Sequence, residues 1–236
     1  MARGRGGTGQ LSLVFPKRWG GARKGAGRKP AARRKVPHRA RDRHHERHPV
    51  HVTLRAAFRP LRSQRVFATL QRSLVEIARR HAERFRVLHY SVQFDHLHLI
   101  AEAADARALS RGVQGLTISM ARRVNRSLGR RGSFWADRFH SRPLESPRAL
   151  RNALVYVLAN FRKHAGRRFP AGIDLYSSAV RFDGWLLTEA QRRSLERISP
   201  RAPPDASVAR PRTWLARLGW RRHGLIALTE QPKRPS

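Results

Sequence analysis

The sequence predicts an α+β fold with a ferredoxin-like split βαβ core, on three observations. Apolar and polar residues alternate in four short segments, and apolar residues recur at helical spacing in three others. The segments follow one another as strand, helix, strand, strand, helix, strand, with one more helix after them, which is the split βαβ order. Turn and cap residues stand where the period changes.

Each element has its own signal. Val50, Val52 and Leu54 alternate with His51, Thr53 and Arg55, as in a half-buried strand. Phe67, Leu70, Leu74, Ile77 and His81 mark a helix over 64–81. Leu88, Tyr90, Val92 and Phe94 alternate with Val87, His89, Ser91 and Gln93 in a second strand. Asp95-His96 breaks it, and 96–103 reads as a third strand in a hairpin with the second. Asp105 is an N-cap for a helix whose stripe is Leu109, Val113, Leu116, Met120, Val124 and Leu128, ended by the glycines at 129 and 132. Residues 134–144 read as a fourth strand, aromatic and basic. Ser146-Pro147 then pairs an N-cap with an N1 proline, opening a helix that runs to Gly166 with Arg162, Lys163 and His164 at its C-terminal end.

Three regions result: a disordered basic arm over 1–49, a core over 50–166, and a C-terminal extension over 167–236. The arm holds 15 Lys and Arg, two acids and eight Gly without periodicity. Within it, Gly25-Ala26-Gly27-Arg28-Lys29-Pro30 resembles a minor-groove AT-hook, a short motif that a plain electrostatic tail also explains. In the extension, Pro200, Pro203, Pro204 and Pro211 mark a linker, and 214–228 suits a short helix or hairpin.

Charge narrows the function. With 51 Lys and Arg against 15 Asp and Glu, the formal net charge is +36, and a chain so charged repels itself unless a polyanion neutralises it. Nucleic acid fits, because phosphate contacts release condensed counterions. The arginines are spread along the whole chain and no apolar run approaches the roughly 20 residues of a membrane span, so no membrane partner is expected. The absence of cysteine excludes disulfides, thiolate zinc sites and cysteine nucleophiles. A cytoplasmic, nucleoid-associated protein is the expectation.

Two segments carry chemistry. In Phe94-Asp95-His96-Leu97-His98-Leu99-Ile100, residues i and i+2 share a strand face, so His96 and His98 project together. Two imidazoles on one pleat suit a divalent ion; they equally suit two strand histidines near phosphate. On the last helix, Leu150, Leu154, Val157, Leu158 and Phe161 form the stripe, and Tyr156 and Asn160 lie one turn apart on an adjoining face. A phenol with a pKa of about 10 is a poor nucleophile until a metal or base assists it. Taken alone, the helix also fits a tyrosine with an ordinary hydrogen-bond partner.

His96-Leu97-His98, followed some sixty residues later by Tyr156-Val157-Leu158-Ala159-Asn160, resembles the HUH single-tyrosine transposases, and more closely their REP-associated branch. The similarity spans about 50–164 and includes the run from Ser91 to Ile100 and Phe134-Trp135-Ala136-Asp137-Arg138-Phe139. It implies His96, His98 and Asn160 as ligands of Mg²⁺ or Mn²⁺, and Tyr156 as the nucleophile that leaves a 5′-phosphotyrosine and a free 3′-OH. It implies a hairpin-forming or palindromic single-stranded DNA substrate, and a homodimer exchanging its tyrosine helices is one arrangement among relatives. Two positions depart from the family pattern: Phe161 stands where many relatives have Pro, and Asp95 where they often have Asn.

For substrate, Trp135, Arg138, Phe139 and Arg142 combine stacking surfaces with cations, as single strands demand. Arg122, Arg123 and Arg126 suit a phosphate track on the long helix, and Lys163 adds a cation beyond the tyrosine. Two other functions compete. A non-catalytic or domesticated single-strand binder of the same fold needs only the charge, although 96–103 lacks the aromatics of an RRM strand. A carboxylate-triad nuclease needs three clustered acids, and the spacing of Asp95, Glu102, Asp105 and Asp137 suggests no cluster.

Overall fold

A computed structural model of the chain describes residues 44–159, 161, 172–199 and 205–232. The AT-hook-like segment, Asn160 and Lys163 lie outside the described residues.

The elements come in the expected order: β1 (Val50–Arg55), α1 (Gln64–His81), β2 (Phe85–Val92), β3 (His96–Ala103), α2 (Ala106–Ser127), β4 (His140–Pro143) and α3 (Pro147–Ala159). The strands form one antiparallel sheet in the order β2-β3-β1-β4, which confirms the ferredoxin-like core. Local chemistry explains the ends. The Ser63 side chain accepts from Val66 N at the start of α1, Asp105 accepts from Ala108 N at 2.6 Å to open α2, and Ser146 accepts from Ala149 N at 3.2 Å to open α3.

Strand alternation gives the sheet two faces, and each has a core. Val50, Val52, Leu54, Leu97, Leu99 and Tyr90 point toward α1 and α2 and meet Leu70, Leu74, Val113, Leu116 and Met120. Gly112 is required there, because a Cβ at that position would lie 2.2 Å from the Phe85 ring. On the other face, Leu88 and Ile100 meet Leu150, Leu154, Val157 and Leu158 of α3.

The extension is the main surprise. Pro200, Pro203 and Pro204 of the expected linker lie outside the described residues, and residues of 172–232 complete the second core through Ala179, Phe182, Trp185, Leu215, Trp220 and Leu228. They include a two-stranded parallel pair, β5 (Trp185–Leu186) and β6 (Ile226–Ala227), and helices α4 (Glu189–Ile198) and α5 (Trp214–Arg217). Ion pairs and one buried carboxylate tie the extension to the core. Arg62 grips Asp174 at 2.7 and 2.8 Å, and Arg151 of α3 grips Glu230 at 2.6 and 2.8 Å. Glu102, buried on β3, takes Arg86 at 2.7 Å and also the backbone N–H groups of Arg212 and Thr213.

The fourth strand is shorter than the eleven-residue segment read from the sequence. Only His140–Pro143 is regular; 134–139 is an irregular crossing tied to β1 by an isolated Ala56–Trp135 bridge. At the other end, His44 Nε2 lies 2.8 Å from the Ala103 carbonyl, and Leu144 N donates to the Pro49 carbonyl. No helix among the described residues is long and apolar enough to cross a membrane.

Candidate active site

His96 opens β3, and alternation turns His96 and His98 toward α3 while Leu97 and Leu99 enter the first core. Their rings are nearly parallel, with planes 9° apart and centroids at 6.1 Å. Each Nδ1 is held from behind. Asp95 Oδ1 lies 2.6 Å from His96 Nδ1. An ionised carboxylate only accepts, so that nitrogen carries a proton, and a neutral His96 then keeps its lone pair on Nε2. The strand register sets Thr53 opposite His98, and Thr53 Oγ1 is 3.2 Å from His98 Nδ1, with His51 Nε2 at 3.4 Å.

Tyr156 reaches the same place from α3. It is half-buried beside the stripe of Leu154, Val157 and Leu158. Its ring stands edge-on to His98 (5.2 Å, 88°) and 5.6 Å from His51, which is itself 5.4 Å from His98. His51 is pushed down to about 4 by burial and then by the neighbouring Arg142 charge, so it is neutral at pH 7. Arg142 lies opposite His51 on β4, on the same sheet face.

The other two tyrosines are elsewhere. Tyr90 is fully buried on the opposite face, and burial pushes its phenol up to about 12. Tyr176 stacks against Phe67 of α1 at 4.7 Å, with the Arg62 guanidinium 4.4 Å over its ring.

The donor chemistry suits a divalent ion: two oriented imidazoles sharing one face, each backed by an oxygen. Among the described residues no three His, Asp or Glu are arranged to hold a metal ion by themselves, and the third expected ligand, Asn160, lies outside them. The nearby acids have other partners: Asp105 caps α2 and pairs with Arg84 at 2.6 Å, and Glu102 anchors the extension.

Of the predicted residues, His96, His98, Tyr156 and Arg142 come together. Trp135, Arg138 and Phe139 line a hollow against Leu54, on the other side of β1. Arg122, Arg123 and Arg126 line two shallow hollows between α1 and α2 with Arg72 and Arg80, also away from Tyr156. His51, Thr53 and Asp95 were missed as site residues. Their signal was present: two polar positions alternating along β1, and an acid directly before the first histidine.

The profile of the family described as "Transposase IS200 like" matches residues 46–159. No curated protein matches the sequence. A solved structure of a REP-associated tyrosine transposase bound to a REP hairpin is similar at 17% identity and a TM-score of 0.47, over 62% of this chain and 84% of that one.

Proposed function

Through residues 46–159 the chain belongs to the IS200-like transposase family, and from that premise we propose that it is a metal-dependent single-tyrosine transposase that nicks and rejoins single-stranded hairpin DNA. One observation carries the reading: Tyr156 stands edge-on to His98, and His98 shares its strand face with His96. Nucleophile and ion-binding groups have to meet at one phosphate, and here they come from elements far apart in sequence.

His96, His98 and Asn160 would hold Mg²⁺ or Mn²⁺. When bound, such an ion supplies charge stabilisation at the scissile phosphate and the departing 3′ oxygen. The chain's own groups do the rest. Tyr156 Oη attacks phosphorus, a phenolic ester to the 5′ side forms, and the bond from phosphorus to the 3′ oxygen breaks. The phenol loses one proton and the 3′ oxygen gains one, so the exchange is neutral overall. Rejoining is the reverse, with a 3′-OH attacking the phosphotyrosine. Asp95 and Thr53 hold the two histidines in orientation, and Arg142 offers a cation to the incoming backbone.

The test is a covalent adduct. Incubated with Mg²⁺ or Mn²⁺ and single strands taken from the flanks of its own gene, tested for hairpin-forming repeats, the full chain is expected to give a protein–oligonucleotide species that survives denaturation. A protein that binds these strands without forming the species is a non-catalytic binder.

A further inference from the structure

We infer that the hollow between α2 and residues 134–139 is a pocket for one unstacked base of the DNA strand; this rests on the DNA-binding half of the proposed function and not on its cleavage chemistry. The cavity measures about 300 Å³, at the lower end of small-molecule sites, with room for one base but not a base pair. Leu54 forms part of its lining, Trp135 and Phe139 supply aromatic surface, and Ser110, Gln114 and Arg138 contribute polar groups.

The aromatic surface is set in advance. Trp135 Nε1 donates to the Thr117 carbonyl at 2.9 Å, its ring stands edge-on to Phe134 at 4.8 Å, and the Ala56 bridge ties its backbone to β1. A fixed indole costs little entropy when a flat ligand stacks on it. The Asp137 carboxylate in the lining opposes a bare phosphate, whereas a base offers a π-face to Trp135 and Phe139 and a polar edge to the polar wall. Gln114, exposed on α2, presents both an amide donor and an amide acceptor, the pairing that reads a base edge.

The pocket is also in the right place. Leu54 lies between Thr53 and Arg55, so the hollow sits one strand away from His98, through the sheet. Phe139 leads directly into β4, the edge strand whose Arg142 faces His51. A single strand passing round that edge can leave one base in the hollow and bring a phosphate to Tyr156.

The experiment uses the full chain carrying Tyr156→Phe, without metal, so that binding is read free of cleavage. Abasic sites are placed one at a time through the hairpin strand and its flanks. One position is expected to lose about tenfold in affinity, and 2-aminopurine there should report stacking on binding. Ser110→Phe, which fills the hollow, should weaken the intact strand by a similar factor and erase the abasic penalty; Gln114→Ala, at an exposed position, should shrink it even if Ser110→Phe fails to fold. Equal penalties at every position, or a penalty unchanged in both variants, overturn the pocket. So does a free mononucleotide that occupies the hollow as tightly as the strand does. A parent chain that forms no adduct, by contrast, overturns the cleavage reading and leaves this result standing.

Discussion

The ring of Tyr156 meets the ring of His98 edge-on, with centroids 5.2 Å apart and planes at 88°. That contact crosses the second core: His98 belongs to a central strand, and Tyr156 to a helix that closes over it. The helix is held there by its apolar stripe and by an extension that lies beyond the family match.

Metal affinity is expected to depend on Asp95. The carboxylate fixes the His96 tautomer at 2.6 Å, so Asp95→Ala should weaken Mn²⁺ binding by about tenfold or more. Asp95→Asn, whose carbonyl still accepts from Nδ1, should lose less. Titration followed by Mn²⁺ paramagnetic resonance measures both, with circular dichroism checking that the fold is intact.

Acid should destabilise the fold through His89 and His51. Burial pushes each down to about 4, against an ordinary value near 6.5. As pH falls, the unfolded chain takes up these protons first. The stability is therefore complete above about pH 6.5 and is lost progressively toward pH 4, by at most about 3 kcal/mol per histidine. His89 is the cleaner probe, because its ring lies against Phe182 at 5.3 Å and takes no part in the proposed chemistry. Melting curves between pH 7 and 4.5 should show Tm falling, with a shallower fall in His89→Gln.

Tyr156 is expected to serve its own chain's histidines. Arg151, five residues before it, binds Glu230 and also the carbonyls of Gly224 and Leu225 at 3.0 Å. A mixture of Tyr156→Phe and His96→Ala proteins should give no more adduct than either alone. Recovery of adduct in the mixture would establish a dimer that exchanges its tyrosine helices.

The basic N-terminus should add affinity without adding selectivity. Because His44 and Pro49 bond to the core, the informative truncation removes residues 1–43 and not the whole of 1–49. It should leave the melting temperature nearly unchanged, weaken binding across unrelated strands and flatten the dependence of log K on log salt. A loss concentrated on one sequence would point to specific readout by the arm.

Much of this was legible because it is local. The alternation of Val50, Val52 and Leu54 and the caps at Asp105 and Ser146 are short-range signals, and the elements they predict are present. His96 and His98 share a face for the same reason. His51 was less visible, since an alternating strand looks solvated on its polar side until α3 covers that side. The short helix at Trp214–Arg217 was legible, but the packing of the extension was not, because pairs such as Arg62 with Asp174 and Arg151 with Glu230 join residues 112 and 79 positions apart and leave no period. Residues 134–139 misled for a different reason: the aromatic spacing of a strand serves there to line a hollow.

The most direct test of the account is Tyr156→Phe on a strand that the parent cleaves. The substitution removes one oxygen and keeps the ring against His98, so folding and DNA affinity should persist. The denaturation-resistant adduct should vanish with either Mg²⁺ or Mn²⁺, because no phosphoester forms without that oxygen. Tyr90→Phe and Tyr176→Phe should retain it. An adduct of undiminished yield from Tyr156→Phe would contradict the assignment of the nucleophile and, with it, the mechanism.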